Sequence, residues 1–364
     1  MKSDNTKINP LPFGETREGL FRLTQFSHGA GCGCKIAPNI LEKILHSTTP
    51  QLNNSQLLVG YNTKDDAAVY DIGNGRAIIS TTDFFMPIVD DAFDFGRIAS
   101  VNSISDVYAM GGKPLMAIAI LGWPINKIPS EVAQKVLEGA RTICAQANIP
   151  LAGGHSIDSP EPIFGLAVTG EVDIKNIKKN STATEGCKLF LTKPLGVGMI
   201  TTAHKRGAVI EKDFEEAVRS MTQLNSLGYE FGKLDYVKAM TDVTGFGLLG
   251  HLIELCEGSN LSAEIEYSKI PLLKNISHYA SEKIYPDGTM RNWKSYEHKV
   301  SGIGTESLLT LCDPQTSGGL LVAVDSGYED EFISFTKKHH LDLHPFGICR
   351  QKARMPDSPI VAVY

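Results

Sequence analysis

The stretch FGRIASVNSISDVYAMGGKPLMAIAILGW, residues 95–123, contains both kinds of hydrophobic pattern on which the fold prediction depends. Ile98, Val101 and Tyr108 recur at helical spacing, and this run ends at a glycine pair, where helices commonly stop. The apolar run KPLMAIAILGW that follows predicts a strand. A helix that leads directly into an apolar strand indicates a layered fold in which helices cover a sheet.

The same alternation continues on both sides of this stretch. Upstream, residues 36–46 predict a short helix, and AAVYDIGNGRAIISTTDFF (67–85) predicts two strands joined by a turn at GNG. Downstream, residues 130–147 predict a helix, and IPLAGGHSI (149–157) and IFGLAVTGEV (163–172) predict two more strands. The pattern therefore predicts an α/β (α+β) class with antiparallel returns between strands.

The second half of the chain shows the same kind of pattern after a polar interval, KNIKKNSTATEG (175–186). Here the sequence predicts a strand and a glycine-rich turn at 187–200, a helix at 211–232, a strand, loop and helix at 238–256, and a strand, turn and strand in TLCDPQTSGGLLVAV (310–324). Because 364 residues exceed the size at which one core usually stops growing, two domains are expected. We place a flexible N-terminal segment with a glycine-rich lid at 1–47, domains at 48–174 and 187–364, and a linker at 175–186.

The composition is that of an ordinary globular protein, with 42% hydrophobic and 21% charged residues. The net charge of −6 argues against nucleic-acid binding, which needs a basic surface. No run approaches the roughly 18 apolar residues of a membrane span, and the first twenty residues contain no signal-peptide core. Seven cysteines, an odd number and mostly scattered in apolar runs, indicate a reducing cytoplasm.

Five aspartates, which stand beside apolar runs or on a helix, are candidate site residues: Asp65, Asp66, Asp83, Asp106 and Asp242. If the fold gathers them, their carboxylates repel each other unless cations lie between them. Hard divalent ions such as Mg²⁺ are held by a few carboxylates together with substrate phosphates. Any single aspartate at the end of an element can equally be an ordinary cap or turn residue.

The segment HGAGCGCK (28–35) is a second candidate, and spacing removes several interpretations of it. It is neither a P-loop nor a complete G-x-G-x-x-G fingerprint. Its C-x-C has no second ligand pair at zinc-finger spacing and is not the C-x-x-C of thiol exchange. What remains is a thiol on a glycine-rich hinge, with Lys35 three residues beyond Cys32 favouring the thiolate, or two unpaired thiols in a loop.

Seven motifs, read in order along the chain, resemble those of the selenophosphate synthetase (selenide, water dikinase) family: SHGAGCGCK, TKDDAAVY, STTDFFMPIVDDAFDFGRIA, ISDVYAMGGKP, LAGGHSID, MTDVTGFGLLGH and DPQTSGGLL. The resemblance extends from about residue 21 to near the C-terminus. It implies the two-domain fold of the aminoimidazole-ribonucleotide-synthetase-like ATPases, with the first domain binding ATP and forming the dimer. It also implies a reaction in which ATP, selenide and water give selenophosphate, AMP and orthophosphate, for selenoprotein and seleno-tRNA production.

The resemblance also implies roles for individual residues. Cys32 and Lys35 match catalytic positions, and Lys35 also contacts ATP. The remaining positions match the nucleotide site (Thr63, Lys64 and Asp65), the magnesium ligands (Asp66, Asp106 and Asp242, with Asp106 also near the nucleotide), a carboxylate near ATP and metal (Asp83), and a segment that reaches ATP across a homodimer interface (Gly154, His155 and Ser156). A selenium-delivery protein is a further partner compatible with this chemistry.

Two other functions stay open at this point. A relative with the same fold could phosphorylate another substrate or activate an amide without selenium, although HGAGCGCK is not expected there. A non-catalytic selenium or metal carrier could use C-x-C alone. Two roles for Cys32 also stay open: it either holds selenium and delivers it to the γ-phosphate, or it assists as a thiolate near that phosphate. We favour selenium handling, because soft sulfur suits selenium and is a poor ligand for Mg²⁺. Cys34 either resolves an oxidised Cys32 or is a bystander.

Overall fold

Two β-sheets organise the chain, one before and one after the interval 175–186. The structure is a computed structural model that describes residues 21–36, 38–46, 54–60, 65–353 and 358–364. The first sheet has the strand order β1-β2-β3-β6-β4-β5. Its strands are β1 (Leu57–Val59), β2 (Ala68–Gly73), β3 (Arg76–Phe85), β4 (Lys113–Trp123), β5 (Leu151–Asp158) and β6 (Ile163–Asp173).

The predicted GNG turn joins β2 to β3, which pair in antiparallel fashion. Gly73, Asn74 and Gly75 all have left-handed backbone angles, with φ of 86°, 55° and 73°. Glycine and asparagine tolerate this conformation better than other residues do. The turn chemistry of the sequence therefore sets the register that places Asp83 near the end of β3.

Two long helices, α2 (Ala92–Ala109) and α3 (Ser130–Gln146), cover one face of the first sheet. They pack closely because glycines lie at the contact: a Cβ on Gly96 would come within 1.9 Å of the Val136 carbonyl oxygen. The short helix α1 (Pro38–Leu45) precedes the sheet. The opposite face of the sheet has no covering helix among the described elements and exposes Phe84 and Ile118.

The second sheet has the strand order β10-β13-β9-β12-β7-β11-β8. Its strands are β7 (Lys188–Leu191), β8 (Val237–Asp242), β9 (Leu261–Ile265), β10 (Val300–Ser301), β11 (Leu320–Val324), β12 (Gly347–Gln351) and β13 (Val361–Val363). The helices of this half are α4 (Val197–Lys205), α5 (Glu211–Met221), α6 (Leu227–Gly232), α7 (Gly247–Gly258), α8 (Ile276–Ser281), α9 (Asp287–Tyr296), α10 (Thr305–Leu311) and α11 (Glu329–Lys338). Within the described ranges, no helix is long and apolar enough to cross a membrane.

The predicted α/β class is confirmed, and most predicted elements are present. Two details of the prediction were wrong. Residues 211–232 form two helices, α5 and α6, rather than one. Residues 310–311, predicted as the start of a strand, end helix α10, in which the Thr310 hydroxyl donates to the Glu306 carbonyl oxygen. A short apolar run does not distinguish a strand from a buried helix by periodicity alone.

Helix α2 lies at the junction of the two halves, because it contacts β3 and β6 of the first sheet and also β8, α5 and α6. Almost all of its residues are buried, including several polar ones. The interval 175–186 is also packed, with the Lys178 and Asn180 side chains buried. The domain boundaries given above stay a prediction.

Candidate active site

The polar residues of α2 face a site between the two halves of the chain. Asn102 is fully buried and Asp106 is only 8% exposed. Asp106 accepts a hydrogen bond from the Thr81 hydroxyl of β3, and Asn102 donates to the Asp83 carboxylate on the same strand. Buried polar groups are retained where such partners satisfy them. The helix thus fixes two of the predicted aspartates.

Two further aspartates reach the same site from other elements. Asp66 precedes β2 and accepts a hydrogen bond of 2.8 Å from the Thr241 hydroxyl. Asp242, the residue that follows Thr241, ends β8 and is 2% exposed. The aspartates predicted to hold Mg²⁺ therefore come from three separate parts of the chain.

These carboxylates lie close enough to disturb one another's protonation. Burial, and next the charge of Asp242, raise the pKa values of Asp66 and Asp106 well above the ordinary range. Burial also raises the pKa of Asp242. A hydrogen bond from Ser105 and the charges of His251 and Lys35 partly offset this increase. Desolvation and like charges both disfavour ionised carboxylates. The arrangement is costly unless positive charge enters it.

The donor set is suited to a hard cation. One oxygen of Asp66 (Oδ2) and one of Asp242 (Oδ2) are buried without a hydrogen-bond partner in the described part of the chain. Such orphaned oxygens are the groups that Mg²⁺ takes, together with phosphate oxygens of a substrate. Among the described residues, no group of three or more His, Cys, Asp or Glu side chains is arranged to hold a metal ion. A cation at this position would therefore need further ligands, such as phosphate oxygens, in addition to these two carboxylates.

Cys32 is buried beside this carboxylate set, with 1% of its surface exposed. Its backbone N–H donates to the Thr316 hydroxyl oxygen at 3.0 Å, and its thiol donates to Asn102 Oδ1 at 3.3 Å. Burial raises the pKa of the thiol, and Asp83 raises it further, whereas Lys35 lowers it. Lys35 therefore acts in the expected direction, towards the thiolate, but burial and the charge of Asp83 outweigh it, and the pKa of Cys32 is raised.

Lys35 connects the lid segment (residues 28–35) to the carboxylates. Its ammonium nitrogen lies 3.8 Å from Asp83 Oδ2, and 37% of its side chain is exposed. Lys35, Cys32 and Asp83 line one cavity of about 170 Å³. Lys35 also lines a second cavity of about 470 Å³, whose wall includes Lys205, Arg206 and Arg291. It is therefore the cationic group that faces both spaces.

The predicted nucleotide residues are only partly brought together. Gly154, His155 and Ser156 lie on the edge strand β5. The sheet register aligns Gly154 with Asp83 across the sheet, three strands away. At about 4.8 Å per strand, roughly 14 Å separate them within one chain. Asp65 accepts a hydrogen bond of 2.7 Å from the Asn180 backbone. Thr63, Lys64 and the side chain of Cys34 lie outside the described residues.

The sequence analysis missed the loop 313–319 as an organising element of the site. Thr316 holds the backbone of Cys32, and the Ser317 N–H donates to Asn102 Oδ1 at 2.8 Å. Only weak signals marked these positions: a paired glycine in TSGG, and a polar Asn102 at the centre of an apolar helix. Their partners are more than 200 residues distant in sequence, so no local pattern could identify them.

The same loop also caps helix α4. Asp313 Oδ2 accepts hydrogen bonds from the Gly198 and Met199 backbone N–H groups, and Gln315 Oε1 accepts from Gly196 and Val197. These are backbone donors that a helix N-terminus leaves without internal partners. The cap ties the site loop to the strand–helix connection after β7.

The two sheets and the junctional carboxylates define a two-domain protein of the AIR synthase related class. Residues 64–172 match the N-terminal domain of AIR synthase related protein, and residues 184–349 match its C-terminal domain. The chain is 56% identical to a selenide, water dikinase of Pasteurella multocida (strain Pm70), over 95% of this chain and 98% of that protein. It is 59% identical to one of Yersinia pseudotuberculosis, over 90% and 94%. The chain belongs to the selenide, water dikinase family.

Solved structures of more distant proteins share this fold. A thiamine-monophosphate kinase from Stenotrophomonas maltophilia K279a has a TM-score of 0.62 at 19% identity, covering 85% of this chain and 91% of that one. A hydrogenase maturation protein, HypE, in complex with ATP has a TM-score of 0.56 at 15% identity, covering 85% and 87%. At these identities the likeness establishes the AIR synthase-like fold.

A pH-dependent contribution to stability is predicted for Asp313, because burial raises its pKa from 3.8 to about 7. The folded chain then binds this proton more tightly than the unfolded chain, so stability should fall as the pH rises through this interval. Asp313→Asn keeps an acceptor for the α4 N–H groups and removes the titration. We expect its free energy of unfolding to fall less than that of the wild type between about pH 5 and about pH 8 in urea titrations.

The matched control is Glu185→Gln, which removes an exposed carboxylate. It should keep the wild-type pH dependence. An Asp313→Asn profile parallel to that of the wild type would contradict the prediction.

Proposed function

We propose that this chain is an ATP-using kinase that converts selenide and water into selenophosphate, AMP and orthophosphate, for selenoprotein and seleno-tRNA production. The observation that carries the proposal is the meeting of Cys32, Lys35 and the aspartate set in one site. Membership of the selenide, water dikinase family supports the same activity. The ATP complex of HypE shows that this fold accommodates ATP in a distant protein.

The first proposed role belongs to the carboxylates. Asp66, Asp106 and Asp242 would hold Mg²⁺, which supplies the positive charge needed to seat the triphosphate among acidic groups. Without such charge, one carboxylate about 4 Å from one phosphate charge costs about 4 kcal/mol at an effective dielectric constant of 20. That cost would outweigh much of the affinity of an ordinary nucleotide site. The orphaned oxygens of Asp66 and Asp242 support this assignment.

The second proposed role belongs to Lys35 and Asp83. Phosphoryl transfer depends mainly on positioning and on neutralising the charge of the transferred group. Lys35 borders the cavity that Cys32 and Asp83 line, so its ammonium group can contact a phosphate there. Asp83 is 3.8 Å from that ammonium group and would orient it. We assign Thr63, Lys64 and Asp65 to the rest of the nucleotide site.

Cys32 is the proposed selenium-handling residue. Its thiol is buried and hydrogen bonded to Asn102. A soft sulfur atom suits selenium and has little affinity for Mg²⁺, so it can act beside the metal site without occupying it. Water must be excluded while the phosphoryl group is transferred and admitted afterwards, because AMP formation requires a second cleavage. The burial of Cys32, which is 1% exposed, is compatible with the first of these conditions.

A homodimer with a shared ATP site is also proposed. The open face of the first sheet exposes apolar side chains that a monomer would leave in water, among them Ile72, Phe84 and Ile118, each between 45% and 53% exposed. Contiguous exposed apolar surface commonly marks an interface. Pairing two such faces would bring Gly154, His155 and Ser156 of one subunit towards the carboxylates of the other. The cytoplasm is the proposed location, and a selenium-delivery protein is a proposed additional partner.

The products of the reaction test the proposed function. Incubation of the wild type with ATP, Mg²⁺ and selenide should give AMP and orthophosphate in a selenide-dependent way, followed by ³¹P NMR. Cys32→Ser should lose nearly all of this activity, because oxygen cannot replace the soft sulfur. Cys34→Ser, the matched control two residues away, should keep much of it.

Formation of ADP alone by the wild type would show that the assignment is wrong. Full activity in Cys32→Ser would favour the alternative, an enzyme of the same fold without selenium chemistry. Equal losses in both serine variants would contradict the separate roles of the two cysteines.

The dimer is tested by placing a charge on the open sheet face. Ile118→Glu should shift the protein from dimer to monomer in light-scattering measurements and abolish selenide-dependent AMP formation, because a buried carboxylate would be left without a partner. Ile210→Glu is the matched control, since Ile210 is 43% exposed and lies outside this face. A fully active monomeric Ile118→Glu variant would contradict the shared site.

A further inference from the structure

A buried lysine that the proposed mechanism does not use donates a hydrogen bond to the loop Thr316–Gly319. Lys193 follows strand β7 and is 4% exposed. Its ammonium group donates to the Ser317 carbonyl oxygen at 2.9 Å and to the Gln223 carbonyl oxygen at 2.6 Å. We propose that Lys193 is a positioning residue, which fixes this loop and through it the reactive geometry of Cys32. The inference rests on the proposed function, in which Cys32 reacts.

The conformation of Ser317 explains why the loop needs such support. Ser317 has a left-handed backbone, with φ of 50°, which few residues other than glycine adopt without cost. All of its polar groups are engaged: the N–H donates to Asn102, the hydroxyl donates to the Ile98 carbonyl oxygen, and its own carbonyl oxygen accepts from Lys193. Two of these contacts come from helix α2. Lys193 supplies the third contact, which comes from the second half of the chain, to which the loop itself belongs.

The loop is in direct contact with the residues of the site. Thr316, one residue before Ser317, accepts the hydrogen bond from the Cys32 backbone. Asn102, which accepts from the Ser317 N–H, also contacts the Cys32 thiol and the Asp83 carboxylate. Lys193 therefore holds the carbonyl group of Ser317, the residue that follows Thr316 and is hydrogen bonded to Asn102. Thr316 and Asn102 are the two partners of Cys32.

Close packing leaves the loop little freedom to take another path. A Cβ on Gly319 would lie 2.3 Å from the Lys193 backbone nitrogen, and one on Gly318 would lie 2.0 Å from the Val243 carbonyl oxygen. Asn225 also donates to the Gly318 carbonyl oxygen and to Ser105 on α2. The glycines allow the loop to approach this closely, and the two side chains from the second half then hold it there.

A second buried lysine shows what a purely structural role would look like. Lys178 is 6% exposed and donates to the Leu234 carbonyl oxygen at 3.0 Å. It resembles Lys193 in burial and in using a backbone acceptor, but none of its described hydrogen bonds reaches the loop Thr316–Gly319. The chain thus provides a matched control.

The test compares Lys193→Met with Lys178→Met by a readout that needs neither ATP nor selenium. Alkylation of Cys32 by iodoacetamide is followed by mass spectrometry of its peptide in the full-length protein. Lys193→Met should raise this rate about tenfold and lower kcat for AMP formation by on the order of 100-fold, because small displacements of reacting groups are costly. Lys178→Met should change neither by more than about twofold, although thermal unfolding should show both variants destabilised.

A double-mutant cycle checks the route of the effect. If Lys193 acts through the loop, Lys193→Met and Thr316→Val should have less than additive effects on the alkylation rate. If Lys193→Met is not folded, the milder Lys193→Gln should give a smaller increase in alkylation in the same assay.

Three results would overturn the inference. The first is an alkylation rate in the folded Lys193 variants equal to that of Lys178→Met, and the second is strict additivity with Thr316→Val. The third is a lower kcat with an unchanged alkylation rate, which would mean that Lys193 acts through its electrostatic interaction with Asp242 and not through the loop. Failure of the wild type to form AMP would count against the proposed function and would leave the alkylation comparison intact.

Discussion

Electrostatic repulsion governs the centre of this protein, because Asp66, Asp83, Asp106 and Asp242 share one largely buried site. Burial and mutual repulsion raise the pKa values of at least Asp66, Asp106 and Asp242. A buried carboxylate without compensation costs several kcal/mol, so such a set persists only where the surrounding structure holds it in place. The fold supplies that support from several directions, through Thr81, Thr241 and Asn102. A ligand that brings positive charge would relieve this repulsion, as the proposed function requires.

Helix α2 provides much of the support that these carboxylates need. A helix that is buried on all sides normally carries apolar residues only. Here its buried polar residues serve both halves: Ser103 bonds the backbone of β3 and β6, whereas Asn102 reaches Cys32 and the loop Thr316–Gly319. The lid segment closes onto this framework through Thr316 and Asn102. The location of Cys32 is consequently set by residues from both halves of the chain.

The sequence predicted the parts of this site that local chemistry marks, and it did not predict their connections. Asp66 and Asp242 could be identified because each stands beside an apolar strand, and HGAGCGCK because it concentrates three glycines, two cysteines and a lysine in eight residues. Asn102, Thr316 and Lys193 could not, since their partners are distant in sequence. The effect of Lys35 on the Cys32 thiol was predicted in the right direction, but the opposing effects of burial and Asp83 arise only from folding and could not be predicted. The residues at 310–311 show that a short apolar run does not determine its own secondary structure.

The central claim is that the acidic site accepts ATP only together with a divalent cation, and equilibrium ATP binding measured by calorimetry tests it most directly. Wild-type protein should bind ATP in the presence of Mg²⁺ and should lose on the order of 1,000-fold in affinity when Mg²⁺ is chelated, which corresponds to about 4 kcal/mol for one unshielded carboxylate–phosphate contact. Asp242→Asn should reduce this dependence on Mg²⁺, because one repelling charge and one ligand are removed. Equal ATP affinity with and without Mg²⁺ in the wild type would contradict the account.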